Sequence, residues 1–395
     1  MKILVRDFIK KESSSGIILV FVTILAILIR NSPLSDFYND ILHVSVSFQF
    51  GNLLHIEKPF FLWINDGLMT MFFLLIGLEI KRELLVGHLS TMSRMALPGL
   101  AALGGMIFPA LIFIFFNYED SFSMRGWAIP VATDIAFALG VLSLLSNRIP
   151  VSLKIFLMAL AILDDIGAIL IIAFFYTTEL SMFALSLTFL FVTILVLMNR
   201  FHVVKITAYL LIGVLLWISV LKTGLHATLA GILLAFIIPL NAKNGNHKRT
   251  SPAKILQKNL HFWVAYFILP IFAFVNAGIS LGSMSIEYIT HPVSLGIICG
   301  LVFGKQMGIM LFTYIAIHYK LAVLPRCTTW TQIYGVSLLS GIGFTMSFFI
   351  DSLAYNDSMV FAYSDRLAIL IGSLISGIIG YLILRNAKKR KHCNL

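Results

Sequence analysis

Met158-Ala159-Leu160-Ala161-Ile162-Leu163-Asp164-Asp165-Ile166-Gly167-Ala168-Ile169-Leu170-Ile171-Ile172 sets two adjacent carboxylates midway along an otherwise apolar run. One Asp at the centre of a membrane helix costs about 2.5–3.5 kcal/mol to insert, so a pair must neutralise, meet counter-charges or line a wet cavity. Successive helix residues point only about 100° apart, so both side chains can face one crevice. An intramembrane carboxyl pair reads first as an ion or proton site. A polar contact buried between helices is the plainer alternative.

The rest of the chain supports the membrane reading. It has 395 residues, 59% hydrophobic and only 12% charged, with a mean hydropathy of +0.95. A helix needs about 20 apolar residues to cross the hydrocarbon, which leaves room for about twelve crossings joined by short loops. No polar segment is long enough for a separate soluble domain, so 1–395 reads as one integral membrane domain. Cys299, Cys327 and Cys393 show no paired spacing and read as unpaired thiols, without a disulfide framework or zinc site. No cofactor is implied.

The net charge of +11 raises nucleic acid or anionic lipid as partners, and its distribution decides between them. Spans are expected near 13–30, 59–80, 95–117, 122–145, 150–175, 181–199, 205–221, 224–240, 258–280, 291–315, 328–350 and 358–384. One set of alternate loops then carries 23 Lys and Arg, the other only Arg30, Lys58, Arg125, Lys222 and Arg366, while Lys305 falls inside a span. The charge follows the membrane, not a nucleic acid. The positive-inside rule places both termini in the cytoplasm, which requires an even number of crossings. The basic run Arg385 to Lys391 reads as a cytoplasmic anchor, with lipid head-group binding open to it.

Met1 to Glu12 reads as a basic amphipathic lead, and the first apolar run ends in Arg30-Asn31-Ser32-Pro33 without a cleavage site, as an uncleaved span. Residues 44–56 alternate apolar and polar on both sides of Gly51-Asn52, a hairpin signal. Its exposed edge makes it a candidate contact with a second copy. The second span ends in Gly77-Leu78-Glu79-Ile80-Lys81-Arg82-Glu83-Leu84, which by itself reads as an interfacial helix end. Asn241 to Pro252, polar and basic, reads as a hinge between two halves.

Two spans carry interruptions. In Ile129-Pro130-Val131-Ala132-Thr133-Asp134, the proline removes a backbone donor and clashes with the preceding turn, so the helix breaks near Val131 to Asp134. Broken backbone at that depth survives only where protein or a water-filled cavity satisfies it. The second interruption is Ser340-Gly341-Ile342-Gly343-Phe344-Thr345-Met346-Ser347. Between them in the chain lies Gly304-Lys305-Gln306, whose buried lysine needs a carboxylate partner or must shed its proton. Paired broken helices, one in each half, point to a transporter site at a repeat interface.

These stretches, with Thr223-Gly224-Leu225-His226-Ala227-Thr228-Leu229-Ala230-Gly231, closely resemble the NhaA family of bacterial sodium/proton antiporters over essentially the whole chain. That family is itself a type case of paired broken helices, so the general rule adds no independent support. The resemblance implies an all-α fold of twelve spans, with spans three to five and ten to twelve as inverted repeats and spans four and eleven discontinuous and crossing. It implies an ion-site core of about 95–175 and 291–384, an interface part of about 13–90 and 205–280, and a homodimer joined through 44–56. The implied activity, in the bacterial inner membrane and not enzymatic, is electrogenic exchange of cytoplasmic Na+ or Li+ for external H+, activated at alkaline pH.

By position, Asp165 becomes the principal cation ligand and proton carrier, Asp164 its neighbour facing Lys305, and Thr133 a group beside the ion path. Asp134 and Lys305 balance the half-helix ends, and Pro130, Gly341 and Gly343 mark the breaks. Glu79, Arg82, Glu83, His226 and His261 fall at positions tied to pH response or the ion entrance. Gln257 and Lys258 stand where the family pattern has an acid and a second histidine, and Phe262 replaces a common proline. An intramembrane aspartyl protease would take its acids from two spans, one with Gly-x-Gly-Asp, which this chain lacks. A sodium-coupled solute symporter of related fold is the nearer alternative, but the acids and lysine suit a small cation with protons better.

Overall fold

The computed structural model describes residues 2–50, 54–145, 148–177, 180–243, 249–282, 286–355, 361 and 364–388. It is built almost entirely of helices. In chain order those of eight residues or more are α1 (Lys2–Arg30), α2 (Ser35–His43), α3 (Phe60–Val86), α4 (Met92–Asn117), α5 (Ile135–Leu144), α6 (Val151–Phe175), α7 (Met182–Arg200), α8 (Ile206–Leu221), α9 (Leu229–Ile237), α10 (Pro252–Asn276), α11 (Pro292–His318), α12 (Trp330–Leu339), α13 (Phe344–Ala354) and α14 (Ser364–Asn386). A 3-10 segment, Ser123–Val131, precedes α5.

Among the described residues eight helices are long and apolar enough to cross a membrane, or ten if each of two bent pairs counts as one span. The seventh expected span, 205–221, is matched by α8, 206–221, while the eighth, 224–240, is helical only over the 9 residues of α9. The surface is apolar where a soluble protein would be polar, with Phe183 75% and Phe189 74% exposed on α7. The basic lead is not separate from the first span, because α1 runs unbroken through Ser13-Ser14-Ser15-Gly16.

The expected hairpin is present. β1 (Ser45–Phe50) pairs antiparallel with β2 (Leu54–Pro59), Phe48 opposite Ile56, and its turn Gly51-Asn52 lies outside the described residues. The loop after α9 holds a smaller pair that the sequence reading did not foresee, β3 (Ala242–Lys243) with β4 (Arg249–Thr250). Cys327 is disulfide-bonded, which corrects the expectation of three unpaired thiols; Cys299 is free and Cys393 lies outside the described residues.

The chain divides into two compact units. The first comprises 1–24, 86–168 and 279–395, the second 25–85 and 169–278. In the first, α4 and α11 approach at backbone distance: a Cβ on Gly104 or Gly308 would collide with the other's carbonyl oxygen, and one on Gly304 would lie 2.7 Å from Pro109 Cα. Small residues permit this packing where lipid supplies no hydrophobic drive between helices. In the second, Leu74, Leu78, Tyr209, Leu216, Leu234 and Leu256 form a buried apolar core.

Candidate functional site

The site in the first unit begins with a short cap. Asp120, in the loop before the 3-10 segment, accepts from the Ser123 hydroxyl and from the backbone N–H of Phe122 and Ser123. These bonds, the hydroxyl foremost, hold its carboxyl below the usual range. The segment runs over Pro130 and stops at Val131, and Ala132 and Asp134 are extended, with ψ of 154° and 101°. The expected break is therefore at 132–134.

The second break follows α12, which ends at Leu339, and α13 starts at Phe344 after a 44° bend. Two glycines are required here by close approach. A Cβ on Gly341 would strike the Leu301 carbonyl oxygen, and one on Gly343 would strike the Ser347 hydroxyl. Leu301 belongs to a π turn, Gly300–Gly304, within α11 and immediately before Lys305. Such turns widen a helix by one residue and recur at functional sites.

The two breaks are hydrogen-bonded to each other. Asp134 N–H donates to the Ile342 carbonyl at 2.7 Å, and Ser347 Oγ donates to the Ile129 carbonyl at 2.7 Å. The Asp134 carboxyl caps two helices at once. Its Oδ1 accepts from Phe137 N at 2.9 Å in the first turn of α5, and its Oδ2 accepts from Thr345 N at 3.1 Å and Thr345 Oγ1 at 2.5 Å in the first turn of α13. A carboxylate at helix N-termini satisfies orphan donors and complements both dipoles.

Beside this junction lies the ion pair. Lys305 Nζ donates to Asp164 Oδ2 at 2.7 Å and to Thr133 Oγ1 at 3.0 Å. Thr133 Oγ1 is also 2.7 Å from Asp164 Oδ2 and 2.8 Å from the Ser340 carbonyl. Thr133, Asp164 and Lys305 are each 0% exposed, and Asp165 is 1% exposed. Among the described residues no hydrogen bond reaches Asp164 Oδ1. Asp164 thus has one oxygen held by two donors and the other open.

The structure brings Thr133, Asp134, Asp164 and Lys305 together, with Asp165 adjacent in α6. It also supplies partners that sequence reasoning missed: Thr345 and the Ser340 carbonyl. Both lie inside the quoted Gly-rich stretch, but nothing local to that stretch identifies Asp134 and Thr133 as their partners. At the far ends of α13 and α14, a buried cluster joins Asp351, Asp365 and Arg366, with Arg366 Nε 3.7 Å from Asp351 Oδ2.

In the second unit, Gln257 bridges the charges at the end of α3. Its amide nitrogen donates to Glu79 Oε1 at 3.3 Å, and its oxygen accepts from Arg82 Nη1 at 3.2 Å. Arg82 also holds Glu83 at 2.8 Å. His261 lies one turn beyond Gln257 in α10, and Lys258 is exposed. His226 is apart from this cluster. Its Nε2 is 3.6 Å from Asp66 Oδ1, its Nδ1 is 2.8 Å from Thr228 Oγ1, and Asp66 binds Lys58 at 2.6 Å. Asp66 and Glu79 are separated along α3 by about 20 Å.

A buried carboxyl pair, a buried lysine bonded to one of its members and two hydrogen-bonded breaks fit the class of secondary transporters for a small cation. Residues 6–384 match the family described as Na+/H+ antiporter 1, and the chain belongs to that family. It is 56% identical over 386 residues to a Na(+)/H(+) antiporter NhaA of Sulfurovum sp., covering 98% of each chain. Identity to the protein of that name from Nitratiruptor sp. is 55% over 384 residues, 97% of this chain and 98% of the relative. The Pseudomonas putida relative is 52% identical over 391 residues, 99% of each.

Proposed function

We propose that this chain is an electrogenic antiporter of the bacterial inner membrane that exports cytoplasmic Na+ or Li+ in exchange for external H+ and is activated at alkaline pH. One observation carries the reading: Asp164 is fully buried, with Oδ2 bound by Lys305 and Thr133 and Oδ1 open, at the junction of two broken helices. Asp165 is the principal cation ligand and proton carrier, and Asp164 and Thr133 supply further oxygens. Na+ and Li+ are hard cations that favour such ligands.

A cation arriving at two carboxyls displaces protons, and loss of two protons for one cation moves a net charge in each cycle. Asp134 supports the junction by capping α5 and α13, and Lys305 offsets carboxylate charge. The full architecture is twelve spans with both termini cytoplasmic, in which spans four and eleven cross within inverted repeats; the hydrogen bonds between the breaks support this arrangement. A homodimer forms through 44–56, where Phe48 is 52% exposed. Inverted vesicles with an acid interior test the activity. Added Na+ or Li+, but not K+, should release protons, and no release with either ion would sink the proposal.

A further inference from the structure

Thr133 Oγ1 lies within hydrogen-bond distance of three groups: Lys305 Nζ at 3.0 Å, Asp164 Oδ2 at 2.7 Å and the Ser340 carbonyl at 2.8 Å. The ammonium can only donate, and the carboxylate and carbonyl can only accept. A hydroxyl has one proton, so it serves Asp164 or Ser340 but not both at once. With the site free of both cation and proton, the charged carboxylate is the stronger acceptor. A cation bridging the open Asp164 Oδ1 and the Thr133 hydroxyl reverses that preference, because it draws off carboxylate charge and holds a hydroxyl lone pair toward itself.

We infer that the Thr133 hydroxyl is a two-position switch, donating to Asp164 when the site is empty and to the Ser340 carbonyl when a cation is bound. Resting on the antiporter reading above, it adds a coupling device to the site. Ser340 follows the last turn of α12 and opens the second break, while Thr133 lies within the first. Cation binding therefore moves a hydrogen bond from α6 to the junction of the breaks, beside the Asp134-to-Ile342 bond already there. Occupancy of the site is thereby transmitted to the two elements whose relative position must change for the ion to leave on the other side.

The test compares wild type, Thr133→Ser and Thr133→Val by amide hydrogen exchange across 132–135 and 340–345. Each is measured without Na+ and with Na+ at ten times its own apparent constant. Wild type and Thr133→Ser should show sodium-dependent slowing, about threefold or more. Thr133→Val should bind Na+ about tenfold more weakly, because the bound cation loses the hydroxyl oxygen as a ligand, and show no sodium-dependent slowing. Equal slowing in Thr133→Val, or its absence in Thr133→Ser, overturns the switch. Complete loss of sodium binding in Thr133→Val also overturns it, by making the hydroxyl an indispensable ligand. Failure of wild type to exchange Na+ for H+ in vesicles instead removes the antiporter reading, whatever the amides show.

Discussion

Replacing Lys305 by Met should destabilise the protein by leaving Asp164 buried without its counter-charge. Lys305 is 0% exposed and makes both of its described bonds inside the site, to Asp164 and Thr133. Removing one partner of a buried ion pair costs about 3–5 kcal/mol, most of it the penalty on the charge left behind. At roughly 2.1 cal/mol/K per residue, 395 residues give an unfolding entropy near 0.83 kcal/mol/K, so the loss corresponds to about 4–6 °C in Tm. The assay is thermal unfolding of purified protein in detergent at pH 8. Adding Asp164→Asn should return at least half of the lost stability, because the unpaired charge is then gone. Adding Asp351→Asn, at the far end of α13, should return none. A Lys305→Met/Asp164→Asn protein no more stable than Lys305→Met alone would refute the pairing.

Asp165→Asn should abolish sodium-dependent proton movement while leaving the protein inserted and folded, since Asn keeps the shape but carries no proton; residual exchange of more than a few per cent removes Asp165 from its role. Exchange in proteoliposomes should respond to an imposed membrane potential, whereas a rate indifferent to potential means one proton per ion. Thr345→Val should cost about 1.5–3 kcal/mol in unfolding experiments by deleting a hydroxyl bond to the shared Asp134 cap, and Thr345→Ser should cost less than 1. Apparent sodium affinity should weaken as pH falls, by about 1.4 kcal/mol per competing proton per pH unit; a flat constant with a switched maximal rate rules out competition.

The parts of this fold that were legible in the sequence are those governed by local chemistry. Pro130 removes a donor, so the break at 132–134 could be placed within a residue or two. Gly341 and Gly343 announced the second break, and strict alternation announced the hairpin. The eighth expected span opens in a turn that its sequence does not mark: Gly224 has φ 89°, Leu225 N–H is tied to Thr223 Oγ1, and α9 begins only at Leu229. The π turn before Lys305 has no compositional mark. The bonds from Thr345 to Asp134 and from Gln257 to Glu79 join residues 211 and 178 positions apart, and no local pattern encodes them.

Gln257 shows why a departure from the family pattern need not break the cluster it sits in. A carboxylate at this position could only accept, so it could serve Arg82 but would face Glu79 as a like charge. The amide does both jobs, donating to Glu79 and accepting from Arg82. The cluster is thus held together by an uncharged residue at its centre. Arg82 is 34% exposed, so its pairing with Glu83 is partly screened and contributes little to stability. What this cluster can still do is set a local potential, which shifts the midpoint of a pH response without creating one. On the proposed function, alkaline activation has its source in the competition of Na+ and H+ at Asp164 and Asp165, and Glu79, Arg82, Glu83 and His261 are proposed only to tune it. Restoring an acid through Gln257→Glu should accordingly move the pH midpoint of transport and leave its slope unchanged, while a changed slope would assign the proton-sensing step to α10.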